Sequence, residues 1–182
     1  MTDATNVRFP DQWYNQKPEL FQAEIRNMHM HFPKAAYGFF RNNGNMYWIV
    51  TLSIFFTEGL TRPWQFLLVY DKDYPYNSRY GDSLKVVPLK PSLEELKAVA
   101  RNNGRIGVPH VIQNADYFLP HSLCLRNRPK APKSEIAGAA FYAARAADWA
   151  AWFEVGIRDN RVWNKWCGNN FRYMRVPEED TQ

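Results

Sequence analysis

The chain has 182 residues, of which 46% are hydrophobic and 16% aromatic, so it can bury a sizeable core and is not an intrinsically disordered protein. Its length favours a single domain. The formal net charge of +5 suits an acidic protein partner, but the basic residues are scattered along the chain, so nucleic-acid binding is not expected.

Features that the sequence lacks indicate which compartment and which kinds of site to expect. Residues 1–8 are polar and do not resemble a signal peptide, and the most apolar run, residues 46–56, is too short to span a membrane. The two cysteines, Cys124 and Cys167, lie too far apart for a zinc-ligand pair and give no disulfide framework. We therefore expect a cytoplasmic protein with reduced thiols, no metal, no cofactor and no association with membranes.

The first predicted elements are an arm and a helix. Residues 1–16 are interpreted as a loose arm. Pro18 and Glu19 then suit the start of a helix, because proline is tolerated at the first helical position and an acidic side chain interacts favourably with the helix dipole. The helix has to end by Pro33. One apolar stripe at helical spacing is formed by Phe21, Ile25 and Met28.

Three strand-like runs follow and predict an antiparallel meander. The first covers Ala35–Phe40 and leads into Asn42–Asn45, whose asparagines and glycine favour a hairpin turn. The second, Met46–Phe56, alternates between two faces as a strand does, and the third covers Trp64–Tyr70.

The segment after the meander reads as an extended insertion over residues 76–116. It includes a possible fourth strand, Leu84–Leu89, which Pro88 would place at the edge of a sheet. It also carries a short helix, Ser92–Arg101, opened by a capping box in which Glu95 stands three residues after the N-cap serine.

The last predicted elements surround the cysteine and form a long helix. Pro109–Ile112 is a short extended piece that leads into the cysteine stretch, Asp116–Leu125. A helix is predicted over Ser134–Val155, with the serine as its N-cap. Arg145 and Asp148 are expected to form an exposed pair on it. Its buried face is predicted to consist of Tyr142, Ala146, Trp149 and Phe153.

Cys124 has two interpretations. Its flanking leucines favour a buried thiol that acts as a small hydrophobic side chain. The alternative is a nucleophile, which needs a nearby cation or base to stabilise the thiolate. His121 lies three residues earlier, and Arg126 and Arg128 follow closely, so these groups could supply that charge if the loop folds back.

The order of these elements, with Tyr74-Pro75 after the third strand and Leu123-Cys124-Leu125 before a long helix, resembles the ubiquitin-conjugating enzyme fold. The resemblance covers roughly residues 17–160 and implies an α+β domain with an N-terminal helix, an antiparallel meander sheet, an active-site loop and a long C-terminal helix. In that family the cysteine carries a ubiquitin-like modifier as a thioester and passes it to a lysine amine. Cys124 is the matching position.

The stretch around Cys124 departs from the usual family pattern. The family has His-Pro-Asn before the cysteine, and its asparagine polarises the thioester carbonyl; here the order is Pro120-His121-Ser122, and Asn114 is the candidate substitute. The Pro-His-x-x-Cys-Leu order resembles divergent bacterial relatives that accompany cGAS-like nucleotidyltransferases in anti-phage operons. The resemblance implies a stand-alone conjugating unit that acts on the C-terminus of such a nucleotidyltransferase, or of another ubiquitin-like donor protein, and on a target amine.

The candidate site follows from this resemblance and from the residues near Cys124. His121 is the expected catalytic partner, and Asn114, Arg126 and His110 are expected to bind the substrate; His110 has the alternative role of pinning the extended segment. Two other functions stay open. One is an inactive binding module of the same fold. The other is a cysteine hydrolase that pairs Cys124 with His110 or His121.

Overall fold

The computed structural model describes residues 9–55, 61–75, 83–114, 119–125 and 137–168. The fold is α+β, with N-terminal helices, a four-stranded antiparallel sheet and C-terminal helices. The elements in chain order are α1 (Trp13–Gln16), α2 (Pro18–His31), β1 (Ala36–Phe39), β2 (Met46–Phe55), β3 (Thr61–Tyr70), β4 (Leu84–Lys90), α3 (Leu93–Asn102), β5 (Val111–Gln113), β6 (His121–Leu123), α4 (Ala139–Arg158) and α5 (Asn160–Gly168).

The sheet has the strand order β1-β2-β3-β4, so the predicted meander is confirmed and β4 lies at an edge as expected. Gly44 adopts a φ of 72° in the turn between β1 and β2, a conformation that glycine adopts without steric cost. One face of β2 and β3 is buried against α4. The largest side chains of that core are Trp48, Trp64, Phe66 and Leu68, together with Trp149 and Phe153 of α4.

The N-terminal segment corrects the expectation of a loose arm. Trp13 in α1 is only 1% exposed, and its ring lies 4.9 Å from the ring of Tyr70 and 4.8 Å from that of Tyr74. Gln12 donates a hydrogen bond to the side chain of Asn45 in the β1–β2 turn. Residues 9–16 are therefore part of the packed structure, while residues 1–8 lie outside the described part of the chain.

The long helix α4 begins later than predicted. Its first residue is Ala139 and its N-cap is Gly138, which has no side chain to bond the first turn. The expected cap, Ser134, lies outside the described residues. The predicted buried face is confirmed, since all four of its residues are buried: Tyr142, Ala146, Trp149 and Phe153.

A buried carboxylate from α2 replaces the missing cap. Glu24 is 5% exposed, and its Oε2 accepts a hydrogen bond from the backbone N–H of Ala139 at 2.9 Å. The same carboxylate accepts from the hydroxyls of Tyr70 at 2.6 Å and Tyr74 at 2.9 Å. Because a carboxylate is favourable at a helix N-terminus, Glu24 ties α2, β3 and the following turn to the start of α4.

Candidate functional site

Cys124 lies at the end of a short hairpin that the sequence analysis did not predict as two strands. β5 and β6 pair antiparallel, with Val111 opposite Leu123 and Gln113 opposite His121. One step further along, the backbone N–H of Cys124 donates to the carbonyl oxygen of His110 at 2.7 Å. The pairing therefore places Cys124 directly across from His110.

The two leucines beside Cys124 anchor it to the protein core. Leu123 is 6% exposed and Leu125 is 1% exposed, whereas Cys124 between them is half-buried. The carbonyl oxygen of Leu125 accepts a hydrogen bond from Nε of Arg145 in α4 at 3.3 Å. Cys124 is therefore held between two residues of the core while it stays partly accessible itself.

His121, the expected catalytic partner, lies in β6 opposite Gln113. It precedes Cys124 by three residues, an odd separation that in a regular strand would put the two side chains on opposite faces, so its role beside the thiol stays a prediction. His121 comes near the first turn of α3. The pKa of Glu94 there is lowered mainly by its hydrogen bond and charge interaction with Lys97, and the charge of His121 adds a smaller effect of the same sign.

Asn114 shares a face of the hairpin with Cys124 but is held elsewhere. Its Nδ2 donates to the carbonyl oxygen of Leu119 at 2.7 Å, and its Oδ1 accepts from the hydroxyl of Ser122 at 3.1 Å. It lies opposite Pro120, to whose carbonyl it donates its backbone N–H at 2.8 Å. Four strand residues, or about 13 Å, therefore separate it from Cys124, too far for its amide to polarise a thioester carbonyl there.

His110 is the described histidine that the hairpin places opposite Cys124. Its Nε2 is hydrogen-bonded to the carbonyl oxygen of Trp166 at 2.8 Å, so Nε2 carries the proton of the neutral ring and Nδ1 keeps a lone pair. Burial lowers the pKa of His110, an effect that the bond to Trp166 partly opposes. The backbone at His110 has a φ of 56°. The bond to α5 means that His110 does pin the extended segment.

One side of α4 faces the hairpin, and sequence reasoning assigned it no part in the site. Trp149 donates its indole N–H to the carbonyl of Pro109 at 3.3 Å, and Arg145 reaches Leu125 as described above. Arg145 also pairs with Asp148 at 3.4 Å; burial raises the pKa of Asp148, and Arg145 opposes that shift. The predicted pair therefore exists, but it lies beside the cysteine hairpin, and only the packing of α4 reveals this.

Two arginines that were expected near the thiol, Arg126 and Arg128, lie outside the described residues. Within the described ranges, no group of three or more His, Cys, Asp or Glu side chains is placed to hold a metal ion. None of the described helices is long and apolar enough to cross a membrane. A groove of about 220 Å³ lies on the outer face of β3, next to Leu119.

Comparison of the chain with protein-family models, with curated proteins and with solved structures found no match in any of the three.

Proposed function

We propose that this protein is a stand-alone transferase with a ubiquitin-conjugating-like fold, working in the cytoplasm, and that Cys124 carries an acyl group as a thioester. The observation that carries the proposal is that Cys124 stays half-buried between two buried leucines at the end of a hairpin. A sealed thiol could not meet a protein substrate, and a loosely held one would not be positioned for transfer.

The order of elements supports the same proposal. A helix, an antiparallel meander with Tyr74-Pro75 after its third strand, a cysteine-bearing segment and a long helix follow one another along the described chain, with β4 and α3 between the third strand and the cysteine. The resemblance to ubiquitin-conjugating enzymes rests on this order of helix, meander, cysteine and helix. His110 is the candidate base, because its backbone carbonyl pairs with the N–H of Cys124 and its Nε2–H bond to Trp166 makes Nδ1 the acceptor nitrogen of the neutral ring.

The proposed reaction has two steps. The Cys124 thiolate attacks the carbonyl carbon of an acyl group that arrives activated as a thioester of another protein; a new C–S bond forms, the old one breaks, and the departing thiolate takes a proton. An amine of the target then attacks the thioester at Cys124. The amide bond forms, the C–S bond breaks, and the proton lost by the amine ends on the sulfur of Cys124.

The proposed donor is the C-terminus of a partner protein. The resemblance to bacterial conjugating-enzyme relatives makes a cGAS-like nucleotidyltransferase of an anti-phage operon the first candidate, and the attached molecule would enhance its signalling. A gene for such a nucleotidyltransferase next to the gene for this chain would support that setting. A neighbourhood without one leaves another ubiquitin-like donor as the partner to seek.

The first prediction concerns the thioester itself. After incubation with a synthetic peptide thioester, mass spectrometry is expected to find one peptide attached to Cys124 and released by reductant. Transfer to Cys124 should be at least about tenfold faster than to the exposed Cys167, because a nucleophilic cysteine lies where its thiolate is stabilised. Cys124→Ser should give an ester that resists reductant.

The matched control is Cys167→Ser, which should keep the full adduct. Circular dichroism of Cys124→Ala should match that of the unchanged chain. Equal labelling of both cysteines would contradict the proposal. Rapid loss of the peptide to water, with no transfer to added lysine, would identify a cysteine hydrolase instead.

A second candidate function is a binding module of the same fold that performs no chemistry. The observation that favours it is that the amide of Asn114 is already hydrogen-bonded to Leu119 and Ser122, which leaves Cys124 without the asparagine contact typical of the conjugating enzymes. The two functions differ in cells that carry the whole operon. If Cys124→Ala keeps protection against phage, binding alone is sufficient; if protection is lost while the variant is still folded and abundant, the thiol is required.

A further inference from the structure

Four aromatic rings form a partly exposed cluster where α1 and α2 meet the edge strand β1. Tyr37 and Phe39 of β1 are 44% and 42% exposed, although side chains of this kind are usually buried. Tyr14 lies 4.8 Å from Phe39, and Phe21 lies 6.3 Å from Tyr37, measured between ring centroids. We call Tyr14, Phe21, Tyr37 and Phe39 the β1 aromatic patch.

The outer edge of β1 offers backbone hydrogen-bonding groups beside this patch. Phe40 donates its N–H to Asn45 at 3.0 Å, toward β2, and the register continues with Gly38 opposite Tyr47. Because backbone groups of a strand alternate in direction, those of Tyr37 and Phe39 point away from β2. Within the described part of the chain, β1 pairs with no other strand. An edge of this kind can accept a further strand.

Basic side chains stand at both ends of the strand. Lys34 precedes β1 and Arg41 follows it, and both are exposed. Among the described residues neither makes an ion pair with a carboxylate. The edge therefore combines apolar rings, unpaired backbone groups and two positive charges, each of which a ligand could complement.

We propose that an extended, acidic segment of a partner protein binds as a fifth strand along β1. Its backbone pairs with Tyr37 and Phe39, its apolar side chains cover the β1 aromatic patch, and its carboxylates meet Lys34 and Arg41. In strand addition of this kind, main-chain hydrogen bonds supply affinity and alternate side chains supply specificity.

Two other occupants fit the edge less well. In an antiparallel pairing with a second copy centred on Gly38, Lys34 of one chain would lie opposite Asn42 of the other, next to Arg41, so positive charges of the two chains would meet at both ends of the pairing. A nucleic acid would present phosphate oxygens, which only accept hydrogen bonds. Those oxygens would face the outward carbonyl groups of Tyr37 and Phe39 without a donor between them.

The surface is separate from the cysteine site. β1 and β4 are the two opposite edges of the sheet, about 14 Å apart at the usual strand spacing, and β6 packs beside β4. Cys124→Ala should therefore leave binding at β1 unchanged. This makes the inference independent of the proposed transferase activity.

The test measures binding of a fluorescent eight-residue peptide that alternates glutamate with valine, by anisotropy, against a matched lysine–valine peptide. The unchanged chain should prefer the acidic peptide. Lys34→Glu combined with Arg41→Glu should weaken acidic-peptide binding by about tenfold or more and reverse the preference, because two attractive charges become repulsive. An unchanged preference in that variant would overturn the proposal.

The strand-addition geometry has its own test. Phe39→Pro removes an outward N–H without removing a bond to β2, and Phe39→Ala removes the same ring but keeps the N–H. The Phe39→Pro variant should bind the acidic peptide at least about fivefold more weakly than the Phe39→Ala variant. Two acidic peptides, one methylated on the odd and one on the even backbone nitrogens, probe the same bonds without changing the protein. The peptide whose methyl groups replace the N–H groups that face β1 should bind more weakly than the other.

Three results would contradict the inference. These are full binding by both methylated peptides, tighter binding of oligothymidylate than of the acidic peptide, and a dimer in sedimentation that dissociates on Phe39→Pro. Preservation of the unfolding temperature in each variant shows that a loss of binding reflects the surface and not the fold.

Discussion

His110 and Cys124 show how much of the site depends on register. They lie 14 residues apart in the chain, and nothing in the local sequence marks one as the partner of the other. The pairing of β5 with β6 brings them opposite each other, while the same pairing places His121 opposite Gln113. The sequence identified the cysteine stretch and its histidines as candidates and favoured His121, the nearer of the two along the chain. The pairing with His110 could not be predicted, because it is made by hydrogen bonds between distant segments.

His110 gives a prediction at the scale of one residue. Its φ of 56° is unfavourable for a residue with a Cβ, and its ring bonds the carbonyl of Trp166. His110→Ala loses the bond and keeps the strain, whereas His110→Gly loses the bond but relieves the strain. The free energy of unfolding of the His110→Gly variant should therefore exceed that of His110→Ala by about 1 kcal/mol, the reverse of the usual order of these two residues in folded segments. Urea unfolding of the two variants measures the difference.

The pH dependence of stability gives a second test of the His110 ring. Because burial lowers its pKa in the folded chain, the folded state binds fewer protons than the unfolded state near the ordinary value of about 6.5. The contribution of His110 to the free energy of unfolding is therefore present above that pH and is lost as the pH falls. Both His110 variants should lose stability less steeply between about pH 7 and pH 5 than the unchanged chain. Parallel curves would mean that the ring titrates equally in both states.

Among the elements, those with strong local signals were predicted and those held by distant contacts were not. β2 and β3 follow from alternation, and α3 follows from its capping box. The short helix α1 was missed because Trp13 owes its position to Tyr70 and Tyr74 across the fold. The strands of the cysteine hairpin have three residues each, too few for a periodic pattern.

The capping box of α3 gives a prediction for an element. The Ser92 hydroxyl accepts from the N–H of Glu95 at 3.3 Å, and the Glu95 carboxylate accepts from the N–H of Ser92 at 2.6 Å. Ser92→Ala should lower the free energy of unfolding by about 1 kcal/mol, and Ser92→Asp should restore most of it, since aspartate also caps helices. Urea titration followed by circular dichroism gives both values. Equal stability of the two variants would show that the cap contributes nothing.

At the scale of the whole molecule, Glu24 links elements that are distant in the sequence. Burial, followed by the charge of Glu24, raises the pKa of both Tyr70 and Tyr74, so both phenols keep their protons and go on donating to the carboxylate. The third donor is the first N–H of α4, which its own cap, Gly138, cannot satisfy. The start of α4 could therefore not be predicted from residues near it, because its cap lies on α2.

The network should behave as one unit when it is disrupted. Glu24→Leu leaves three buried donors without their acceptor and should cost about 3–5 kcal/mol, whereas Gln22→Ala, on the exposed side of the same helix, should cost less than about 0.5 kcal/mol. Adding Tyr70→Phe and Tyr74→Phe to Glu24→Leu removes two of the orphaned donors. The triple variant should therefore be less destabilised than the sum of the single changes, as measured by urea unfolding. Strict additivity would mean that each contact acts alone and that Glu24 does not couple α2, the sheet and α4.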